Sequence, residues 1–343
     1  MGKIIGLTYD LKSDWIPSPD DPVDANAEWD KPGTIERIQE ALEKGGHTTK
    51  KIGNVQNLLD QIDQLDVDIV LNICEGYKGR NRESQVPLIL EMKGIPFVGS
   101  DALTLGITLD KVMAKKIFVA EEIPTPRFFV ANSLENLDQL EEKYNLTYPL
   151  IVKTRHEGTS KGLTENSRVE DLKSLKREVE IVLTRYHQTA LVEEFIRGTE
   201  CTVPVLGNKN PQAMPVAQIC IDGKVELRDK FFTFDMVAYD GLKYLYPAQF
   251  SSLLIKKLQD LAISAYSAVE CLDFGRVDFR VDEQGNPYVL EINPLPSLAE
   301  ADVFNIFPQL IGSNYDETIN KILGFALERY GMLAQQANLA LRK

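Results

Sequence analysis

Residues 275–292 read Gly-Arg-Val-Asp-Phe-Arg-Val-Asp-Glu-Gln-Gly-Asn-Pro-Tyr-Val-Leu-Glu-Ile, and this stretch decides the fold class of the C-terminal part of the chain. The runs 275–281 and 287–292 are typical of β-strands. Residues 282–286 between them are rich in Asp, Gly and Asn, which is hairpin-turn chemistry. The stretch therefore predicts an antiparallel β-hairpin.

Four polar side chains of this hairpin are expected to converge. Residues two apart in a strand point to the same side, so Arg276 lies with Asp278, and Glu291 with Asn293. The oxygens of Asp278, Glu291 and Asn293 suit Mg²⁺ (or Mn²⁺) held partly by protein and partly by phosphate. Arg276 would stabilise negative charge developing nearby. A salt-bridge ladder on a solvated hairpin is the alternative, and the Asn-Pro-Leu-Pro run that follows slightly favours a site.

Two lysines upstream are candidates for binding phosphate. Lys111 begins a predicted helix, and Lys153 ends an apolar strand just before the Gly-containing loop 155–162. An ammonium is a compact charge suited to phosphate, and the loop, with Thr159 and Ser160, is able to fold over phosphates. A surface lysine and a plain flexible connection are the ordinary alternatives.

The run Val192-Glu193-Glu194-Phe195-Ile196 and the nearby Glu200 lie at a predicted strand end. Such an edge can hydrogen-bond a purine through its backbone, while Glu200 can take ribose hydroxyls, although a strand leaving a core looks the same. The chain has no Gly-x-x-x-x-Gly-Lys-Ser/Thr or Gly-x-Gly-x-x-Gly sequence, so the common phosphate loops are missing.

Strands alternate with helices in the first part of the chain, which predicts a doubly wound parallel sheet. Strands are expected at 3–9, 67–73 and 95–98, and helices at 32–45 and 84–94. This α/β unit would span 1–100. A central unit, 101–190, would hold a helix from 108 to 121, a strand at 148–153 and a helix from 169 to 186. A third unit, 191–343, is rich in short strands (α+β) and has a helix at 315–330.

Composition narrows the class of protein. Of 343 residues, 43% are apolar and 26% charged, and the net charge of −13 disfavours a broad nucleic-acid surface. No apolar run approaches the roughly 18 residues of a membrane span. The N-terminus lacks signal-peptide features, and four widely spaced Cys residues read as reduced thiols. We therefore expect a cytoplasmic protein with no nucleic-acid or membrane partner.

Read together, these motifs resemble the D-alanine–D-alanine ligase branch of the ATP-grasp superfamily over residues 67–300. They occur in the family's order: Gly-Ile-Pro-Phe-Val-Gly-Ser with Leu-Asp110-Lys111, Ile-Val-Lys153 and the Gly-Thr-Ser loop, Val-Glu193-Glu-Phe-Ile with Gly-Thr-Glu200, then Arg276-Val-Asp278 and Glu291-Ile-Asn293. Each motif is weak alone, but the ordered set is specific. The resemblance implies a three-domain ATP-grasp fold with ATP between the central and C-terminal domains.

The resemblance also implies roles for these residues. ATP phosphates would be held by Lys111 and Lys153, and the closing loop would carry Thr159 and Ser160. The adenine would be framed by Glu193, Glu194 and Ile196, and the ribose by Glu200. Two Mg²⁺ would be ligated by Asp278, Glu291 and Asn293, and the tetrahedral intermediate would be stabilised by Arg276. The implied reaction joins a small-molecule carboxylate to an amine through an acyl phosphate, with release of ADP and phosphate. A homodimer is one option for the assembly.

The departures from the family concern the substrates. The family's Gly-Gly-x-Ser-x-Glu run is replaced by Thr8–Trp15 and a Pro- and Asp-rich stretch to Asp30, and its His-Gly loop by residues 75–83. Arg80 and Arg82 are candidates to pair with a substrate carboxylate, with a solvated basic loop as the alternative. Ser297 replaces the family's Gly in the segment after Asn293.

Because these segments touch the amino acids in the family, we expect D-alanine alone to be a poor substrate. Other acid–amine pairs, and a nucleotide-binding regulatory protein without turnover, are the alternatives. The complete metal ligands and both lysines disfavour the regulatory protein.

Overall fold

The computed structural model describes residues 2–300 and 302–333, whose strands form three sheets that follow one another along the chain. One sheet falls within each predicted segment, except that the strand Ala190–Glu194 crosses the predicted limit at residue 190. The domain limits stay predictions, and residues 334–343 of the third segment lie outside the described residues.

The first unit is the predicted doubly wound α/β unit. Its strands are β1 (Ile4–Tyr9), β2 (Thr48–Gly53), β3 (Ile69–Ile73) and β4 (Phe97–Val98), and its helices are α1 (Pro32–Lys44), α2 (Val55–Gln61) and α3 (Gln85–Lys93). All pairs in the order β2-β1-β3-β4 are parallel. The apolar residues of β3 pack against α1 on one face and against α2 and α3 on the other. The exposed edge strand β2 was not predicted, because its Thr-Thr-Lys-Lys run lacks an apolar pattern.

The helix predicted from 108 to 121 begins at the wrong residue. The structure has two helices, α4 (Ala102–Leu109) and α5 (Lys111–Ala120), which meet at Asp110. Asp110 has an extended backbone and its carboxylate accepts from the backbone N–H of Met113, so it ends one helix and caps the next. This cap places Lys111 at the first position of α5.

The central unit contains a four-stranded antiparallel sheet. It consists of β5 (Phe128–Ala131), β6 (Leu150–Thr154), β7 (Arg168–Val169) and β8 (Ala190–Glu194) in the order β5-β8-β6-β7, with α6 (Leu140–Tyr144) and α7 (Leu172–Arg185). Val179 and Val182 of α7 pack on Val152 and Val192 of the sheet. Loop 155–162 leaves the end of β6, so Lys153 lies where this sheet meets the loop.

The third sheet carries the predicted hairpin. Its strands are β9 (Gly198–Leu206), β10 (Gln212–Ala213), β11 (Ala217–Ile221), β12 (Leu242–Leu245), β13 (Phe274–Asp282) and β14 (Pro287–Asn293), with the main order β12-β11-β9-β13-β14. Helix α8 (Ser252–Ala268) packs Leu258 and Ala262 against Val277 and Val289 on one face. The opposite face is left for the polar side chains of the hairpin.

The last two helices return to the first unit. Phe304 and Phe307 of α9 (Val303–Leu310) and Ile319 of α10 (Tyr315–Arg329) share a core with Ile5 and Ile69 of the parallel sheet. Arg37 of α1 also contacts the ring of Tyr315. The first and third units are therefore joined through one apolar core, which holds the N-terminal segment opposite the hairpin.

Candidate active site

A cavity of about 1160 Å³ lies where the three units meet. Thirteen of the predicted site residues line it: Lys111, Lys153, Thr159, Ser160, Glu193, Glu194, Ile196, Glu200, Arg276, Asp278, Glu291, Asn293 and Ser297. They come from α5, the end of β6, loop 155–162, β8, β9, the hairpin and the segment after it. The fold thus brings together residues that lie up to 186 positions apart, from Lys111 to Ser297.

The hairpin pairs the four polar residues in the expected way. Arg276 lies opposite Asn293, and Asp278 lies opposite Glu291. The register shifts after Asp278, because Phe279 pairs with Val289 and leaves Leu290 as an extra residue of β14. Residues directly opposite in an antiparallel pair share a face, so all four side chains point into the cavity wall together.

Arg276 is held by two carboxylates. Its Nε and Nη2 donate to Asp278 over 3.0 Å each, and its Nη1 donates to Asp302 over 3.2 Å. Three of the five guanidinium N–H groups are thereby taken. Asp302 occupies the N-cap position of α9, without a capping hydrogen bond from its side chain. It was not singled out in the sequence, since only the tertiary fold brings it back to the hairpin.

Lys111 connects the hairpin to the loop. Its ammonium lies 3.2 Å from Glu291 Oε2 and donates to the carbonyl of Glu157. Burial would raise the pKa of Glu291, but Lys111 and Lys153 lower it below its usual value. Glu291 is therefore ionised at neutral pH, as a metal ligand must be.

Lys153 is paired with a fully buried carboxylate. Glu193 lies 2.6 Å from Lys153 and 2.5 Å from Lys115, which is almost fully buried. Burial lowers the pKa of Lys115, whereas for Lys153 the carboxylates of Glu193 and Glu291 outweigh burial and raise it. Sequence analysis missed Lys115, although its position four residues after Lys111 places it on the same face of α5.

An apolar cleft adjoins these charges. Ile151, Phe195 and Phe231 form a small cluster that lines the cavity beside Ile196. Glu200 lies nearby, where its carboxylate accepts from Arg280 over 2.6 Å and from the backbone N–H of Phe232 over 3.3 Å. The cleft thus combines apolar walls with acidic groups, as a nucleoside-binding site requires.

Loop 155–162 is held down by the N-terminal segment. Glu28 accepts from the backbone N–H of Gly158 over 2.5 Å and lies 3.2 Å from the ammonium of Lys161. Asp24 accepts from the N–H of Gly162 over 2.7 Å and from the hydroxyl of Tyr186. The Pro- and Asp-rich stretch, which has no counterpart in the family pattern, therefore covers the loop.

Three carboxylates meet beneath this loop. Oxygens of Glu28, Glu75 and Glu83 lie within 4.8 Å of one another. Burial raises the pKa of Glu83 to about 7 and raises that of Glu75 strongly, whereas Arg82 and Lys161 outweigh burial at Glu28 and lower its pKa. No local pattern marks these acids, because they come from two separate loops of the first unit.

The contacts of Arg80 and Arg82 differ from the sequence-based hypothesis. Arg82 is buried and donates to Glu28 over 2.6 Å and to the carbonyl of His156 over 2.6 Å. Arg80 donates to Asp110 over 3.0 Å. Neither is among the described residues that line the cavity, and their pairing with a substrate carboxylate stays a prediction.

Comparison with known proteins agrees with this geometry. The family model described as "D-ala D-ala ligase C-terminus" matches residues 117–324. A D-alanine–D-alanine ligase of Janthinobacterium sp. is 33% identical over 244 residues, covering 69% of this chain and 72% of that protein. The chain belongs to the D-alanine–D-alanine ligase family.

Two further similarities extend over most of the chain. The uncharacterized protein y4sG of Sinorhizobium fredii is 32% identical over 311 residues, which cover 88% of this chain and 90% of that protein. A D-alanine–D-alanine ligase of Bacillus anthracis, solved with ATP, superposes with a TM-score of 0.74 at 22% identity, over 96% of this chain and 99% of the other. The predicted ATP-grasp fold is confirmed. Across residues 2–300 and 302–333, no helix is long and apolar enough to cross a membrane.

Proposed function

We propose that this D-alanine–D-alanine ligase family member activates a small-molecule carboxylate with ATP at the described cavity and transfers the acyl group to an amine. Family membership makes the chain an ATP-dependent ligase that forms carbon–nitrogen bonds. The observation that carries the assignment of residues is the hairpin register. It opposes Asp278 to Glu291 and Arg276 to Asn293 on the cavity wall.

The residues of this wall fit a magnesium or manganese ion. Two carboxylates and one amide oxygen form a hard-oxygen donor set. The side chains of Asn293 and Asp278 are already oriented as acceptors, because they accept hydrogen bonds from the N–H of Leu295 and from Arg276. Asp278, Glu291 and Asn293 would hold the ion, which would neutralise charge on the transferred phosphoryl group. Lys111 and Lys153 would hold the phosphates, exchanging their present carboxylate and carbonyl partners for phosphate oxygens.

The reaction has two steps. A carboxylate oxygen of the donor acid attacks the γ-phosphorus of ATP, the bond to the β-phosphate oxygen breaks, and ADP leaves. The acceptor nitrogen then attacks the acyl carbon, the carbon–oxygen bond to phosphate breaks, and the nitrogen loses a proton. Arg276 keeps two N–H groups free of Asp278 and Asp302, and these would stabilise the oxyanion of the tetrahedral intermediate.

Water must be kept from the acyl phosphate. Loop 155–162, with Thr159 and Ser160, would close over it, since Glu28, Asp24 and Lys111 bind the backbone of that loop. Adenine would lie between Ile151, Ile196 and Phe231, bordered by Glu193 and Glu194, with Glu200 at the ribose. A cytoplasmic location and a homodimer stay predictions.

Substrate-dependent phosphate release from ATP tests the function. A panel of carboxylic acids and amines that includes the D- and L-amino acids, assayed singly and in pairs, should contain a pair that releases phosphate and yields a product of the summed mass less one water. D-alanine alone should be a poor substrate. A catalytic efficiency of about 10⁴ M⁻¹s⁻¹ or more with D-alanine alone would show that the rebuilt segments recognise the family substrate by other contacts.

A further inference from the structure

The position beside Arg276 is already filled by a carboxylate of the protein. Asp302 Oδ2 accepts from Arg276 Nη1 over 3.2 Å, while Asp278 takes Nε and Nη2. The side chains of Arg276 and Asp302 are only 17% and 12% exposed, so the pair is largely screened from water. An ion pair this buried is not opened by a passing anion without leaving Asp302 uncompensated.

The other cations of this wall are paired too. Lys111 lies against Glu291, and Lys153 against Glu193. When ATP is bound, the same two ammonium groups would face phosphates. Around the point where the acyl phosphate would form, the three cations Lys111, Lys153 and Arg276 are therefore already paired with carboxylates of the described residues.

An α-amino acid brings such an anion with it. Its carboxylate is one carbon away from the attacking nitrogen, so it must enter the region of the acyl carbon, beside the metal ligands and Arg276. There it would meet Asp302. Asp302 Oδ1 is buried and accepts no hydrogen bond from the described residues. An additional negative charge nearby would therefore raise the free energy of a carboxylate oxygen that already lacks a donor.

A second carboxylate lines the same cavity from the N-terminal segment. Burial, with help from the neighbouring Asp10 and Asp302, raises the pKa of Asp30 to about 7. Lys12 and Lys31 also line the cavity from this side, and neither forms an ion pair with the described residues. The ammonium groups of these two lysines can bind an anionic group at the far end of a long acceptor. A carboxylate next to the attacking nitrogen, in contrast, has to face Asp302.

We propose that the acceptor of this ligase is an amine with no carboxylate on the carbon that bears its nitrogen, and that Asp302 excludes the α-amino acids. A neutral amide or a second amine would fit that position, since an N–H group can donate to the carboxylate of Asp302, which lines the cavity. This inference rests on the proposed function and specifies its acceptor class.

The donor is found first, without any acceptor. Hydroxylamine is a small neutral nucleophile that traps acyl phosphates as hydroxamates, so ATP-dependent hydroxamate formation across a panel of acids identifies the donor. Absence of hydroxamate with every acid would count against the proposed function itself and is distinguishable from a wrong acceptor class.

The acceptor is then tested with a matched pair. Alanine and alaninamide of the same hand differ at the carboxylate, and kcat/KM for each is measured with the donor found above. The values are expressed per free amine, because the amide also lowers the pKa of the amino group. We expect alaninamide to be favoured at least tenfold in the wild type. In Asp302→Asn, which keeps the size of the side chain and removes its charge, the ratio of alaninamide to alanine should fall at least tenfold. Glu300→Gln, which removes an exposed cavity carboxylate paired with Arg37, should leave the ratio unchanged.

The ratio is internal to each variant, so a loss of activity common to both acceptors does not alter it. Isothermal calorimetry of the same two compounds in the presence of ADP and Mg²⁺ compares their affinities without turnover. A wild type that prefers alanine, or a ratio that is the same in Asp302→Asn, would overturn the proposal.

Discussion

The two walls of the cavity differ in how far apart their residues lie in the sequence. The hairpin wall takes its four polar residues from one local stretch, 276–293, whose strand periodicity already places them on one face. The opposite wall takes Glu28, Glu75 and Glu83 from loops that are distant in sequence and carry no regular pattern. The residues proposed to bind the metal are thus marked by a local sequence pattern, whereas the residues of the opposite wall come together only when the loops of the first unit pack.

The largest expected effect concerns the hairpin wall. Glu291→Gln removes a proposed metal ligand while keeping the shape of the side chain. Phosphate release should fall at least about 10³-fold, because charge on the phosphoryl group would no longer be neutralised. Thermal unfolding should be close to that of the wild type. Glu283→Gln, an exposed acid in the turn of the same hairpin, is the matched control. Near-normal turnover of Glu291→Gln at limiting Mg²⁺ would favour the salt-bridge ladder instead.

The next effect concerns the nucleotide. Lys153→Ala should raise the Kd of ATP at least tenfold, or about 1.4 kcal/mol, since a phosphate loses its ammonium. Isothermal calorimetry measures this, with the exposed Lys116→Ala as the control on the neighbouring helix. Unchanged affinity for ATP would mean that Lys153 serves only to neutralise Glu193.

A smaller effect is expected at the N-terminal wall. Glu28→Gln weakens the contacts to Gly158, Lys161 and Arg82, so the loop should open more often and let water reach the acyl phosphate. The ratio of phosphate released to ligated product should rise several-fold, and amide exchange in 155–162 should quicken. Asp20→Asn, an exposed acid of the same segment, should change neither. A coupling ratio equal to that of the wild type would show that Glu28 does not hold the loop.

The smallest effect is on stability and its dependence on pH. Burial raises the pKa of Asp30 to about 7 from an ordinary value of 3.8, so the folded state binds more protons than the unfolded state between these values. Stability from this group therefore falls as pH rises from about 4 to 7 and is level above. Asp30→Asn should gain stability relative to wild type at pH 8 compared with pH 4, by less than the roughly 4 kcal/mol that the full shift in pKa would give. Denaturant unfolding at both pH values measures this, and an equal difference at both would contradict the shift.

Prediction succeeded where a regular element carried the residues. The hairpin, the parallel sheet of the first unit and the ends of β6 and β8 were all expected, and thirteen proposed site residues do line one cavity. It failed at Asp110, where a side-chain cap breaks an apolar helix pattern in two, and at β2, whose exposed residues have no apolar alternation. The substrate roles of Arg80 and Arg82 stay predictions, and charge alone did not reveal that Arg80 would contact Asp110 and Arg82 would contact Glu28.

By itself the sequence determined the fold class, the ligase family and the residues proposed to bind metal and phosphate, because these follow from local periodicity and from short ordered motifs. Only the tertiary structure decided the partners of the charged groups. Glu28 reaches a loop 130 residues away, Lys115 meets Glu193, and Asp302 returns to Arg276. The physical reason is that buried charges must be paired, and the packing of whole units, rather than the spacing of neighbours, determines which opposite charges come within reach.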